Sequence, residues 1–336
     1  MRRDRTVVCW PLPVIHETSE RQAGFVPPNL SPRGLELIPH ELADGVYALM
    51  ANRVPKDNNG LVVGRDAALV IDAGITPGVG RYLQDVVGKH TDKPIRYLVN
   101  TTYHGDHSFG NASFGDDVTI VSSRLNKAAM TTMGLEEEKQ LRLSSLYGDP
   151  HLDEVVSWRA PDLVFDRFCE IDLGGRVVHL WHFGPGNGSG DTIVHVPDAG
   201  VAWVGNFLRH AGIPPMLLAG DPVGYGRSIR SLKATLRADT LVPGHGPLTA
   251  AADGISWHLS YLDRLATEVS RRSEAGETVE KMLAEYTLDD PLQLSEVVPS
   301  AGPDEAGRFD ALVRSNHELN VLLAYRWLTS AAAWAA

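Results

Sequence analysis

Three side chains able to bind a metal fall within four residues at His104-Gly105-Asp106-His107. A fourth, His245, stands in the Gly/Pro loop Pro243-Gly244-His245-Gly246-Pro247. Imidazole nitrogen and carboxylate oxygen are the donors that zinc and related divalent ions take, and a turn lets neighbouring side chains converge where a straight strand cannot. An H-x-D-H string alone is a common accident. A second histidine in a tight loop after another strand makes it a candidate site. Isolated histidines such as His40, His90 and His258 carry no such signal and read as surface or satisfied core residues.

The elements around these residues read as strands feeding loops. Ile95–Val99 is an apolar, β-rich run that ends directly at Asn100-Thr101-Thr102-Tyr103-His104, and α/β proteins place their chemistry at the carboxyl ends of strands. Upstream, runs at 46–50, 60–63 and 67–71 predict three strands, the last two joined by the turn Gly64-Arg65-Asp66. A helix is predicted to start near Pro77, and another to run from Ser123 to Leu146 with Glu136, Glu137, Glu138 and Lys139 on a solvated face. Strands are predicted at 118–121, 177–183, 192–196, 201–204 and 240–242, with a helix over 225–236 between the last two. Strands then helices, twice over, imply two similar halves packed face to face.

Residues 1–43 form a proline-rich arm, 44–250 the main domain, and 251–336 a helical extension packed on it. The arm's apolar residues (Trp10, Leu12, Val14, Ile15, Phe25, Val26) imply that it docks on its own domain or on a second subunit, as in a homodimer. The net charge of −11 argues against nucleic acid or an anionic membrane as partner and leaves a small-molecule substrate. Two cysteines, no apolar run of membrane length and no export segment after Arg2-Arg3 point to a cytoplasmic protein.

The run NTTYHGDHSFGN (100–111) resembles the H-x-H-x-D-H signature of the metallo-β-lactamase superfamily. Its surroundings match in order: Asn59 before a strand, Asp72-Ala73-Gly74 after one, Gly184-Pro185, Gly190-Asp191-Thr192, Gly205-Asn206 and Gly244-His245-Gly246. The resemblance covers roughly 44–250 and implies an α/β fold, the four-layer αββα sandwich. It also implies two metal positions, one of which has been dismantled in this chain. The first metal's three histidines correspond to Thr102, His104 and Asn187, and the bridging aspartate to Asn206. The second metal's ligands remain as Asp106, His107 and His245.

Threonine and asparagine are weak neutral ligands, whereas one carboxylate with two imidazoles is a set found in zinc sites and in iron facial triads. One metal per chain is therefore expected: Zn2+, with Fe2+ or Mn2+ as alternatives. His104, Asp106, His107, Asn206 and His245 surround it, and His104, Asp106 and Asn187 form the catalytic set. The implied activity is hydrolysis, a metal-bound hydroxide attacking an ester, lactone, thioester or amide. The alternatives are a lyase, cyclase or iron-dependent oxygenase on the same triad, or a pseudoenzyme that binds a ligand without turnover.

Overall fold

The computed structural model of the chain describes residues 26–219, 221–298 and 301–335. Two sheets lie face to face. The first has seven strands in sequential order: β1 (Leu37–Ala43), β2 (Val46–Ala51), β3 (Asn59–Val63), β4 (Ala68–Ile71), β5 (Ile95–Val99), β6 (Thr119–Ser123) and β7 (Leu163–Phe165). The second has six, in the order β13 (Thr249–Ala250), β12 (Thr240–Pro243), β11 (Val201–Gly205), β10 (Ile193–Val196), β9 (Val177–Trp181) and β8 (Phe168–Asp172).

Strand β4 is ALVI, buried at all four positions, and β11 is VAWVG, buried at all five. Such runs have no solvated face, so both faces must be covered. The inner faces cover each other: Val62, Leu69, Ile71 and Val99 of the first sheet pack against Val178, Val194, Trp203 and Val242 of the second. Outside the first sheet, Leu61, Val70, Leu98 and Ile120 meet Leu83, Val86 and Val87 of helix α1 (Pro77–Val87). Outside the second, Ala202, Val204 and Leu241 meet Tyr225, Ile229 and Leu232 of α5 (Pro222–Thr235). Leu262 and Leu265 of α6 (Ala251–Glu274), Met282 of α7 (Val279–Glu285) and Val321 and Ala324 of α9 (Pro303–Ala335) extend that outer layer, with the short α8 (Leu294–Val297) between α7 and α9 in the chain. This is the αββα order that the resemblance implied, and the Gly64-Arg65-Asp66 turn does join antiparallel β3 and β4.

Four differences from the sequence-based expectation have simple causes. Leu37–Ala43, placed in the arm, is an edge strand hydrogen-bonded to β2, with six of its seven residues facing solvent or half-buried in a row that shows no alternation. Strands β7, β8 and β13 are short, partly exposed edge or near-edge strands and were not anticipated. The single helix expected over 123–146 is two, α3 (Arg124–Met133) and α4 (Leu135–Leu143), broken at Gly134 with φ +75°. That break turns Glu138 inward to 0% exposure, so it is not on a solvated face. The N-terminal arm up to Phe25, including Cys9, lies outside the described residues; Val26 donates its N–H to Ser315 Oγ of α9.

Candidate metal centre

Every first-row candidate sits at the end of a strand. After β5 the chain turns through 100–104 into the four-residue helix α2 (Gly105–Ser108), which carries Asp106 and His107 fully buried. After β12 comes the loop with His245, and after β11 the turn at Gly205-Asn206. Gly205 has φ +50°, and a Cβ there would stand 2.4 Å from Thr101 Oγ1, so only glycine lets the two loops touch. The segment 55–58 ties the His245 loop down: Asn58 Nδ2 donates to Pro243 O and Gly246 O, and Asp57 bridges His245.

The two histidines are each held by Nδ1. His107 Nδ1 donates to Asp72 Oδ2 at 3.0 Å, and His245 Nδ1 donates to Pro55 O at 2.7 Å with Asp57 Oδ1 at 3.2 Å alongside. Asp72 is itself fixed, its oxygens accepting from Thr101 N and Thr101 Oγ1 at 2.7 Å, and it stands at φ +58°, a region that few residues besides glycine, Asn and Asp enter. With Nδ1 committed as donor, each ring presents a bare Nε2. These two Nε2 atoms face each other at 3.2 Å, and Asp106 Oδ2 lies 3.5 Å from the first and 3.3 Å from the second.

Two acceptor nitrogens and a carboxylate oxygen in such a triangle repel unless a cation or proton sits among them. A proton on His107 is one way to meet that need. Burial works against charge on His107, but Asp106 and Asp72 outweigh it and push the imidazole up to about 10. Asp106, which burial would raise, is held well below the usual carboxylate range by Arg142, His107 and His245. The triangle also fits a metal: a tetrahedral ion with ligands at about 2.0–2.2 Å separates them by roughly 3.3–3.6 Å. Anchoring of Nδ1 by carboxylate or carbonyl is the usual support of ligating histidines. Asp57 has an oxygen within 4.8 Å of the donor atoms of the other three, completing a four-residue cluster able to hold an ion. Its contact with the Nδ1 side of His245 makes it a support for that ring first, and burial with Asp106's charge pushes its carboxyl well up.

The residues corresponding to the first metal do not make such a cluster. His104 is buried, its Nδ1 accepting from Asn206 Nδ2 at 3.2 Å, and burial with the Arg142 charge lowers it to about 3. The same Asn206 Nδ2 is 3.2 Å from His107 Nε2, so Asn206 lies between the two half-sites. Among the described residues, Thr102 Oγ1, Asn187 Oδ1 and Asn206 Oδ1 are buried without a hydrogen-bond partner, while Asn187 Nδ2 donates to Met216 O at 3.2 Å. Three neutral oxygens and a single neutral imidazole, with no carboxylate among them, give little affinity for a cation.

Four nearby residues escaped the sequence analysis as site residues. Asp57 and Asp72 support the rings; the clustered polar run Asp57-Asn58-Asn59 before β3 was a usable signal. Asp191, pushed up to about 7 by burial, accepts from Gly188 N at 2.9 Å and leaves Oδ1 unpartnered. Arg209, three residues after Asn206, is buried. Among the described residues its guanidinium has no ion pair, its Nε has no acceptor, and burial lowers its pKa.

A family model described as the metallo-beta-lactamase superfamily matches residues 56–245. That is more than half of the chain, and the chain belongs to this superfamily. Among solved structures, the metallo-beta-lactamase from Pontibacter korlensis aligns with a TM-score of 0.55 at 19% identity, over 68% of this chain and 99% of that one. The metallo-beta-lactamase from Erythrobacter litoralis, with β-mercaptoethanol in its active site, gives 0.53 at 19% over 68% and 97%. A curated relative, the linear primary-alkylsulfatase of Pseudomonas sp. (strain ATCC 19151), is 22% identical over 211 residues, 54% of this chain. The chain spans only 40% of that relative's length. No helix among the described residues is long and apolar enough to cross a membrane.

Proposed function

We propose that the protein is a mononuclear metal-dependent hydrolase of a small ester that carries a negative charge. The observation that carries this reading is the pair of bare Nε2 atoms of His107 and His245, 3.2 Å apart with Asp106 Oδ2 closing the triangle. These three residues would hold one divalent ion, Zn2+ being the best match to the donor set. Such an ion supplies Lewis acidity, polarising an ester-type oxygen and bringing a water's pKa to about 7.

The chain's own residues do the rest. His104, lowered to about 3, is neutral at physiological pH and suits holding a substrate group by hydrogen bond rather than carrying a proton. Asp191, near 7 with a free Oδ1, is the better proton carrier. Asn187 and Asn206 present unpartnered amide oxygens to substrate N–H or O–H groups. Arg209 is close enough to Asp106 and His245 for their charges to interact, yet among the described residues it has no ion pair of its own. A buried guanidinium without a counter-ion is costly, and an anionic substrate offsets that cost on binding. Sulfate esters join carboxylate-bearing esters, lactones, thioesters and amides as candidates on the strength of the alkylsulfatase relative.

The test is a panel of these compounds, neutral and anionic, assayed with metal-loaded protein, chelator-treated protein and Asp106→Ala. Hydrolysis of anionic members that vanishes on chelation and in the variant supports the reading. Turnover that survives both, or none across a panel offered to metal-loaded protein, counts against it.

A further inference from the structure

Helix α4 reads LEEEKQLRL, and helical spacing puts Glu138 and Arg142 on one face, four residues apart. The break at Gly134 aims that face at α2 rather than at water. Glu138 is completely buried, and its Oε1 accepts from Gly105 N at 2.7 Å, the first amide of the helix that carries Asp106 and His107. The same oxygen lies 2.8 Å from Arg142 Nε, and Arg142 Nη1 lies 3.4 Å from Asp106 Oδ1; both are charge contacts rather than aligned hydrogen bonds, for among the described residues Arg142 Nε and Asp106 Oδ1 have no hydrogen-bond partner. Asp106 therefore has its two oxygens divided: Oδ1 to the guanidinium, Oδ2 to the histidine pair.

We propose that Glu138 and Arg142 are positioning residues for the metal centre, a buried relay that fixes both the start of α2 and the rotation of the Asp106 carboxylate. The proposal rests on Asp106 being a metal ligand. A buried acid–base pair of this kind stabilises a fold weakly, because desolvation consumes most of the attraction; its value lies in geometry. Without Arg142 the Asp106 carboxylate loses the buried positive charge that favours Oδ1 on that side and Oδ2 toward the histidines. A guanidinium suits this place because it reaches Glu138 and Asp106 at once from separate nitrogens, whereas one ammonium is a single point of charge.

The experiment is zinc affinity by chelator competition, with metal content per chain and the melting temperature of metal-free protein, for wild type, Arg142→Lys, Glu138→Gln and the double variant. Arg142→Lys keeps the charge and removes the fork; Glu138→Gln keeps the shape and removes the charge that holds the fork. Loss of a supporting residue behind a metal ligand weakens binding by about 10- to 100-fold. Each single variant is expected to weaken zinc at least tenfold, with the double variant no weaker than the worse single, because both act through Asp106. Variants that bind zinc like wild type, whatever their melting temperature, overturn the relay, as does a double variant whose loss is the product of the singles. A folded wild type that takes up no zinc overturns instead the reading of Asp106 as a ligand, and the relay's role with it.

Discussion

His258 reads as a satisfied core residue in the sequence, and its position makes it a local sensor of acid behind the Asn206–Arg209 turn. It is fully buried in α6, its Nδ1 donating to Gly254 O at 2.7 Å and its Nε2 accepting from Arg209 N at 3.2 Å. Both partners fix the neutral tautomer: protonating Nε2 would set one N–H against another. Burial, with the charge of Arg209, lowers its pKa from 6.5 to about 4. The unfolded chain thus takes up the proton first. The contribution to stability is complete above pH 6.5 and is lost as pH falls from there toward 4. At about 1.36 kcal/mol per pH unit, a gap of about 2.5 units amounts to roughly 3 kcal/mol in full, most of it gone by about pH 4.5. Urea unfolding of wild type and His258→Gln at neutral and acid pH measures it. The variant should start less stable at neutral pH and lose about 2–3 kcal/mol less on acidification. The other buried histidines are common to both proteins and cancel in the difference. Equal losses on acidification in the two proteins would refute the reasoning.

Gly60 in β3 faces Trp203 of the opposite sheet, and a Cβ there would lie 2.4 Å from Trp203 Nε1 and 2.8 Å from Ile71 Cδ1. Gly60→Ala should therefore cost about 1–3 kcal/mol by overpacking, read as a lower urea midpoint; an unchanged midpoint means the sheets can part there freely. Replacing the uncompensated Arg209 by methionine should raise the melting temperature of ligand-free protein, since burying an unpaired charge costs more than burying an apolar chain of similar length. The same change should raise KM for anionic substrates far more than for neutral ones. A lower melting temperature with unchanged KM would make Arg209 structural only.

The sandwich was legible because its central strands are continuous apolar runs such as Ala68–Ile71 and Val201–Gly205, bounded by turns and by loops rich in ligand-type side chains in a fixed order. Edge strands such as Leu37–Ala43 were not, because half-solvated residues leave no apolar period to read. In the site, Asp106, His107 and His245 stood out because ligand-type residues cluster in sequence or sit in a glycine loop. Their supports did not: Asp57 and Asp72 come from different strand ends, and only the closed sheet brings them behind the rings. Glu138 reads as solvated because a charged helix face looks the same from sequence whether it meets water or a buried partner. The one-residue break at Gly134 decides which, and its effect is tertiary.

A single metal held by Asp106, His107 and His245 is checked by counting metal per chain, by inductively coupled plasma mass spectrometry, in protein purified without added metal, for wild type and Asp106→Ala. About one equivalent is expected in wild type and nearly none in the folded variant. Two tightly bound equivalents, none in folded wild type, or full retention in Asp106→Ala would contradict this assignment.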